Sequence, residues 1–174
     1  TDYGKTWLVT GSRDCTLMVW EVASRDAPVR SQPVHLLYGH DDAVTCVAIN
    51  AEIDVVVSGS DDGTIIVHSL RSGSYVRSIV IGSTTSELGI RVQQNPSDKA
   101  KLSGKRRINW LSVTREGLIV LYLMEEHLLF TYSLNGRMIA MKDARERLFA
   151  FHMSHDGHVF LSGGENCLVI MRWV

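Results

Sequence analysis

His40, Ser58 and Asp62 supply an imidazole, a hydroxyl and a carboxylate, the three groups of a hydrolytic triad. Their surroundings argue against that chemistry, because Val56-Val57-Ser58-Gly59-Ser60 lacks the glycine-flanked elbow that presents a nucleophilic serine. His152, His155 and His158 recur every third residue, which would align them as metal ligands on a helix; on a strand and its turn they diverge. Cys15, Cys46 and Cys167 are odd in number and have no C-x-x-C spacing, so neither a disulfide framework nor a structural zinc site is expected, and a reducing compartment suits them. Neither Cys15 nor Cys167 has a cation pair beside it to activate a thiolate. Lys99, Lys101, Lys105, Arg106 and Arg107 place five positive charges in nine residues with no acid among them. These patterns predict no catalytic, cofactor-binding or metal site, and leave the basic run as the candidate contact for an anionic partner.

The elements that carry these residues follow from periodicity. The chain has 174 residues, 45% hydrophobic, with 18 Lys+Arg against 19 Asp+Glu, the profile of an ordinary globular domain that can bury a sizeable core. A net charge of -1 does not suggest a general nucleic-acid binder. No apolar run reaches the length of a membrane helix, and the N-terminus lacks a basic-then-apolar signal pattern. Segments such as Val44-Thr45-Cys46-Val47-Ala48-Ile49 and Thr64-Ile65-Ile66-Val67-His68 are β-branched and bounded by Gly, Asp, Asn and Ser, as strands are; the residues from Asp143 to Phe151 also alternate as a strand does, and the chain reads as all-β.

An internal repeat organises these strands. Leu8 to Trp20 lines up with Val56 to His68 about 48 residues later, and Phe160 to Ile170 forms a weaker copy about two repeat lengths further on. Four short strands between Asn109 and Met141 make the intervening unit. Four strands per repeat predicts β-propeller blades, here about three and a half. The expected division is strands b to d over 1–38, a complete blade over 39–81, an inserted basic loop over 82–107, a degenerate blade over 108–142 and strands a to c over 143–174. An open half-blade leaves edges that proteins normally cover, so the expectation is a slice of a larger, seven-bladed ring.

Gly39-His40, Ser58-Gly59-Ser60-Asp61-Asp62-Gly63-Thr64 and Val19-Trp20 resemble the WD40 repeat. That resemblance implies a buried structural set in which His40 bonds Asp62 and Ser58, and Ser58 bonds the strand-c residue at the tryptophan position, here His68. The first blade offers Thr10, Asp14 and Trp20 for the same set; the last has Asn166 and Arg172 in place of the aspartate and tryptophan, and the third shows none of it. Further along, Thr10-Gly11-Ser12-Arg13-Asp14, Leu37-Tyr38-Gly39-His40-Asp41, Val44-Thr45-Cys46-Val47, Leu111 to Gly117 and Tyr132 to Arg137 resemble the terminal propeller of BEACH-domain proteins, in the neurobeachin and lipopolysaccharide-responsive beige-like anchor subfamily. The insertion from Ile81 to Arg107 and the histidine at 68 depart from that pattern.

The resemblance implies a non-catalytic scaffold that belongs to a large cytoplasmic protein, peripheral on endomembranes and acting in vesicle trafficking and membrane-protein localisation. Its implied partners are other proteins, protein kinases among them, together with the remaining blades and the BEACH domain of the parent chain. The basic run adds an expected attraction to anionic membrane surfaces, where each basic residue gains about 1 kcal/mol. The alternative is an interaction module of another multiprotein complex, one that contacts nucleic acid included. No aromatic residues interleave the basic run to stack bases, which weakens that alternative.

Overall fold

The structure is a computed structural model that describes residues 6–22, 32–81, 106–144, 147–153, 158–163 and 167–172. Fourteen strands lie within them: β1 (Thr6–Gly11), β2 (Leu17–Val22), β3 (His35–Leu37), β4 (Val44–Asn50), β5 (Val55–Ser60), β6 (Thr64–Ser69), β7 (Tyr75–Val80), β8 (Trp110–Val113), β9 (Leu118–Leu123), β10 (Leu128–Ser133), β11 (Met138–Asp143), β12 (Leu148–Met153), β13 (His158–Gly163) and β14 (Cys167–Arg172). They form four antiparallel meanders, β1-β2-β3, β4-β5-β6-β7, β8-β9-β10-β11 and β12-β13-β14, numbered here as blades one to four. The first strands β4, β8 and β12 stand side by side, while the last strands β7 and β11 face outward, as in a β-propeller.

Period-two alternation explains why blades stack. A strand buried on both faces reads as an unbroken apolar run, and β5 is buried from Val55 to Ser60. Val56 turns to blade one, where it packs with Leu17, Val19 and Leu37. Val55 and Val57 turn the other way, onto Ile108, Leu111, Ile119 and Leu121. In blade three, Ile119, Leu121, Phe130 and Tyr132 meet blade two, while Tyr122 and Leu129 meet Leu148 at blade four. Each such aliphatic side chain contributes roughly 1.5 to 3 kcal/mol by leaving water.

Each blade is sealed to the next at the entry to its first strand. The Val44 N–H donates to Ser12 O at 3.0 Å, and the Ile108 N–H to Ser60 O at 3.4 Å. Close approach needs a residue without a side chain on the receiving strand. A Cβ on Gly11 would lie 2.6 Å from Val44 Cγ1, and one on Gly59 would lie 2.8 Å from both Ile108 Cγ2 and Cys46 Sγ. The β1–β2, β5–β6 and β9–β10 turns end on left-handed residues, Cys15 (φ 70°), Gly63 (φ 80°) and His127 (φ 59°).

Candidate functional site

Blade two gathers His40, Ser58, Asp62 and Thr64 into one hydrogen-bonded set. His40 Nε2 lies 2.8 Å from Ser58 Oγ; its Nδ1 lies 3.0 Å from Thr64 Oγ1 and 3.3 Å from Asp62 Oδ2. Asp62 also accepts the Asp41 N–H at 3.0 Å, the Thr64 N–H at 2.7 Å and the Thr64 hydroxyl at 2.5 Å. The carboxylate therefore fastens both the turn after β5 and the loop that leads into β4. Burial pushes Asp62 up, but the hydrogen bonds from Thr64 and Asp41 and the nearby His40 outweigh it and hold the carboxyl below its usual range. Burial also pushes His40 down, against the opposing pull of Asp62 and Asp41. The imidazole is thus neutral near pH 7, Nδ1–H donates and Nε2 accepts from Ser58, so the contact with Asp62 is a hydrogen bond and not an ion pair.

These bonds follow the order serine, histidine, aspartate. Ser58 is nevertheless 0% exposed and its hydroxyl also faces Ile66 O at 3.5 Å, so no substrate reaches it. Thr64 enters the set although the triad comparison omits it; the signal is Asp-x-Thr, present at both 14 to 16 and 62 to 64. In blade one the same turn forms without the histidine: Asp14 Oδ1 accepts the Thr16 N–H at 3.0 Å and its hydroxyl at 2.6 Å. Burial pushes the Cys46 thiol up to about 12, which disfavours the nucleophilic thiolate. Cys15 is raised as well, by desolvation and by Asp42, Asp14, Asp62 and Asp41 around it.

The tryptophan position behaves differently in the two blades. In blade one Trp20 Nε1 donates to Thr10 Oγ1 at 3.3 Å, across the diagonal of the β1–β2 pair. In blade two the implied bond between Ser58 and His68 is not made. Ser58 opposes Ile66 and His68 opposes Val56, and the shorter imidazole does not bridge that diagonal; His68 Nε2 turns instead to Tyr38 O at 3.1 Å. His155 and the side chains of His158, Asn166, Cys167 and Arg172 lie outside the described residues. Among those described, no group of three metal-ligating side chains gathers, and no helix is long and apolar enough to cross a membrane.

The basic run also needs correction. Lys99, Lys101 and Lys105 lie outside the described residues, but Arg106 is 3% exposed and so is not part of a wholly solvated loop. The reason is the seating of Ile108 on Gly59: it draws the two preceding residues over the blade-two turn, where a Cβ on Gly63 would come within 3.2 Å of Arg106 N and O. Arg106 Nε and Nη1 are buried with no hydrogen-bond partner among the described residues. Arg107 is half-exposed and pairs with Asp61 at 3.0 Å. Arg106 and Arg107 thus lie against the blade-two turn.

Blade three fills the corresponding space with rings that sequence reasoning missed. Trp110 stacks on Tyr122 at 5.5 Å and on Phe151 at 6.3 Å, and the Tyr122 hydroxyl accepts the Leu148 N–H at 3.0 Å. The only signal is the aromatic content of strands with no polar set.

Comparison with known proteins agrees with this architecture. Residues 2–96 match the neurobeachin β-propeller domain. The chain is 32% identical over 184 aligned residues to BEACH domain-containing protein B of Arabidopsis thaliana, covering 96% of the chain and 6% of that protein. It is 42% identical over 73 residues to BEACH domain-containing protein lvsD of Dictyostelium discoideum, covering 41% of the chain and 2% of that protein. The chain thus spans only a few per cent of the length of these curated relatives. Among solved structures, the WD40 β-propeller domain of Doa1 superposes with a TM-score of 0.65 at 16% identity, covering 97% of this chain and 47% of that one.

Proposed function

Because the chain belongs to the neurobeachin β-propeller family, we propose that it is a non-catalytic interaction scaffold of a BEACH-domain protein that acts in vesicle trafficking and membrane-protein localisation. The observation that carries the non-catalytic part is the complete burial of Ser58 inside a closed network: the hydroxyl, imidazole and carboxylate spend their hydrogen bonds on holding turns together. What remains for function is surface. Tyr38 and Tyr75, 62% and 57% exposed beside that rigid network, are the side chains best suited to anchor a protein partner. Kinship with BEACH-domain proteins supports the trafficking role and a place on the cytoplasmic side of endomembranes. The described residues contain strands and connections but no helix, so a kinase or any other partner meets loops and strand edges.

The test is made in the full-length parent protein. Tyr38→Ala with Tyr75→Ala should misplace membrane-protein cargo while the propeller remains folded by circular dichroism. Normal cargo distribution after removal of the entire segment overturns the reading.

A further inference from the structure

We propose that His68 makes blade two a pH-sensitive latch, in which a second proton on the imidazole frees strand β6 from the loop that connects blades one and two. His68 is 2% exposed. Its Nε2 faces the Tyr38 carbonyl at 3.1 Å and must carry the proton that this bond donates. Nδ1 is then a bare lone pair, buried without a hydrogen-bond partner among the described residues. Around the ring stand Val56 on β5 and Tyr75 on β7, whose ring meets it edge-on at 6.0 Å between centroids.

The charged and titratable groups on the elements packed against this ring are held elsewhere or lie apart from Nδ1. His40, on the loop after β3, is engaged with Ser58, Thr64 and Asp62. His35 of β3 places Nε2 on Arg71 O at 2.8 Å. Asp54, before β5, accepts the Ser69 hydroxyl at 2.8 Å and the Arg71 N–H at 2.9 Å. Glu21 shares a strand face with Leu17 and Val19 on β2, and Arg77 of β7 opposes Val67. None of them accepts a bond from Nδ1, so a proton there would create a buried cation with an N–H and no acceptor. His40 differs, since the charge that a second proton on its Nε2 would bring is set beside the Asp62 carboxylate already held at Nδ1.

The sign follows from the burial. Desolvation lowers His68, the Tyr38 carbonyl opposes this in part, and the positive form of His40 lowers it further. An unfolded histidine takes its proton near pH 6.5, where the folded one refuses it. Opening is therefore unfavoured above that pH and grows as pH falls through it, up to tenfold in the opening equilibrium for each pH unit. The bond to Tyr38 O is the tie that opens, and with it the loop carrying His40.

Amide hydrogen exchange read by mass spectrometry on the full-length protein tests this, after correction for intrinsic rates. Between pH 7.5 and 5.5, protection of residues 64–80 should fall several-fold, and by at most about tenfold, relative to residues 118–143. His68→Trp and His68→Tyr, which install the aromatic residues found at Trp20 and Tyr132, should each remove that fall. Equal pH dependence in either folded variant and the wild type overturns the proposal. Should neither variant fold, exchange of the His68 imidazole carbon-bound proton in the wild type decides: a midpoint below pH 6.5 supports the latch, and one at or above it overturns it.

Discussion

Blades two and three close the same kind of four-stranded sheet with different chemistry. In blade two the turn after β5 and the loop before β4 converge on the Asp62 carboxylate and the His40 ring. In blade three the strand position opposite Phe130 that corresponds to Ser58 is Leu121, fully buried and apolar, and Tyr132 stands where blade two has His68. The seals to the next blade differ in the same way. Blade two receives Ile108 over a bare Gly59 and bonds its N–H through a backbone carbonyl; blade three receives Leu148 under a stack of Trp110, Tyr122 and Phe151 and bonds its N–H through a phenol. A directional network fixes geometry but suffers when one member is lost, because each partner is left buried and unpaired. A ring stack draws its stability from area, so it suffers in proportion to the volume removed.

The largest effect should therefore come from the rings. Trp110→Ala is expected to lower the propeller's stability by about 3 kcal/mol, since it empties the space between Tyr122 and Phe151. Chemical denaturation measures it, and a loss under 1 kcal/mol would show that blade three does not rest on this stack.

Asp62→Ala comes next, at roughly 1 to 3 kcal/mol, because it strands donors of His40, Asp41 and Thr64 together. Its signature is a pH profile. Asp62 is held below the usual carboxylate range when folded, so its contribution is present above about pH 4 and is lost as pH falls through the folded value. The variant should flatten that acid limb. Glu126→Ala in the blade-three turn should cost nothing measurable, because Glu126 Oε2 has no hydrogen-bond partner to lose among the described residues.

How far the sequence discloses these differences depends on what each residue's role requires. The propeller is legible because alternation and a repeat of turn residues are local properties, and residues 8–20 and 56–68 carry both. The polar types at 40, 58, 62 and 64 stand out for the same reason. The partner of His68 is not legible, since it depends on whether a side chain spans a diagonal between strands; indole does at Trp20 and imidazole does not. Arg106 misleads because a charge run has the same composition whether its end is solvated or drawn inward by an apolar neighbour such as Ile108. Tyr122 and Trp110 carry no spacing signal at all, because stacking asks for rings and not for an order of residues.

The left-handed turn residues sharpen the comparison at smaller magnitude. Gly63 occupies its conformation freely, whereas Cys15 and His127 hold a Cβ there. The strain is about 1 to 2 kcal/mol per residue, and glycine returns about 0.5 to 1 kcal/mol of it as extra freedom in the unfolded chain. Cys15→Gly and His127→Gly should each raise stability by about 0.5 to 1 kcal/mol in a denaturant titration. A loss in either would mean that the side chain makes contacts worth more than its strain.

The smallest effect belongs to the junction of the two blades. Arg107 and Asp61 are 55% and 31% exposed, so solvent screens their pairing and Arg107→Ser should shift stability by less than about 0.5 kcal/mol. Its neighbour should respond in the opposite sense. Arg106 is buried with Nε and Nη1 unpartnered among the described residues, so Arg106→Met, which keeps the aliphatic stem and removes those two donors, should leave stability equal or higher. The same burial divides the basic run. Any attraction of the propeller to anionic vesicles should fall with Lys99, Lys101 and Lys105 all changed to Ser, should weaken as salt rises, and should be indifferent to Arg106→Met, because a charge sealed under the strand entry adds little to the field outside. Vesicle co-sedimentation at low salt separates the cases. If Arg106→Met alone abolishes binding, the side chain is open to the surface and the junction is not sealed by Ile108 as described.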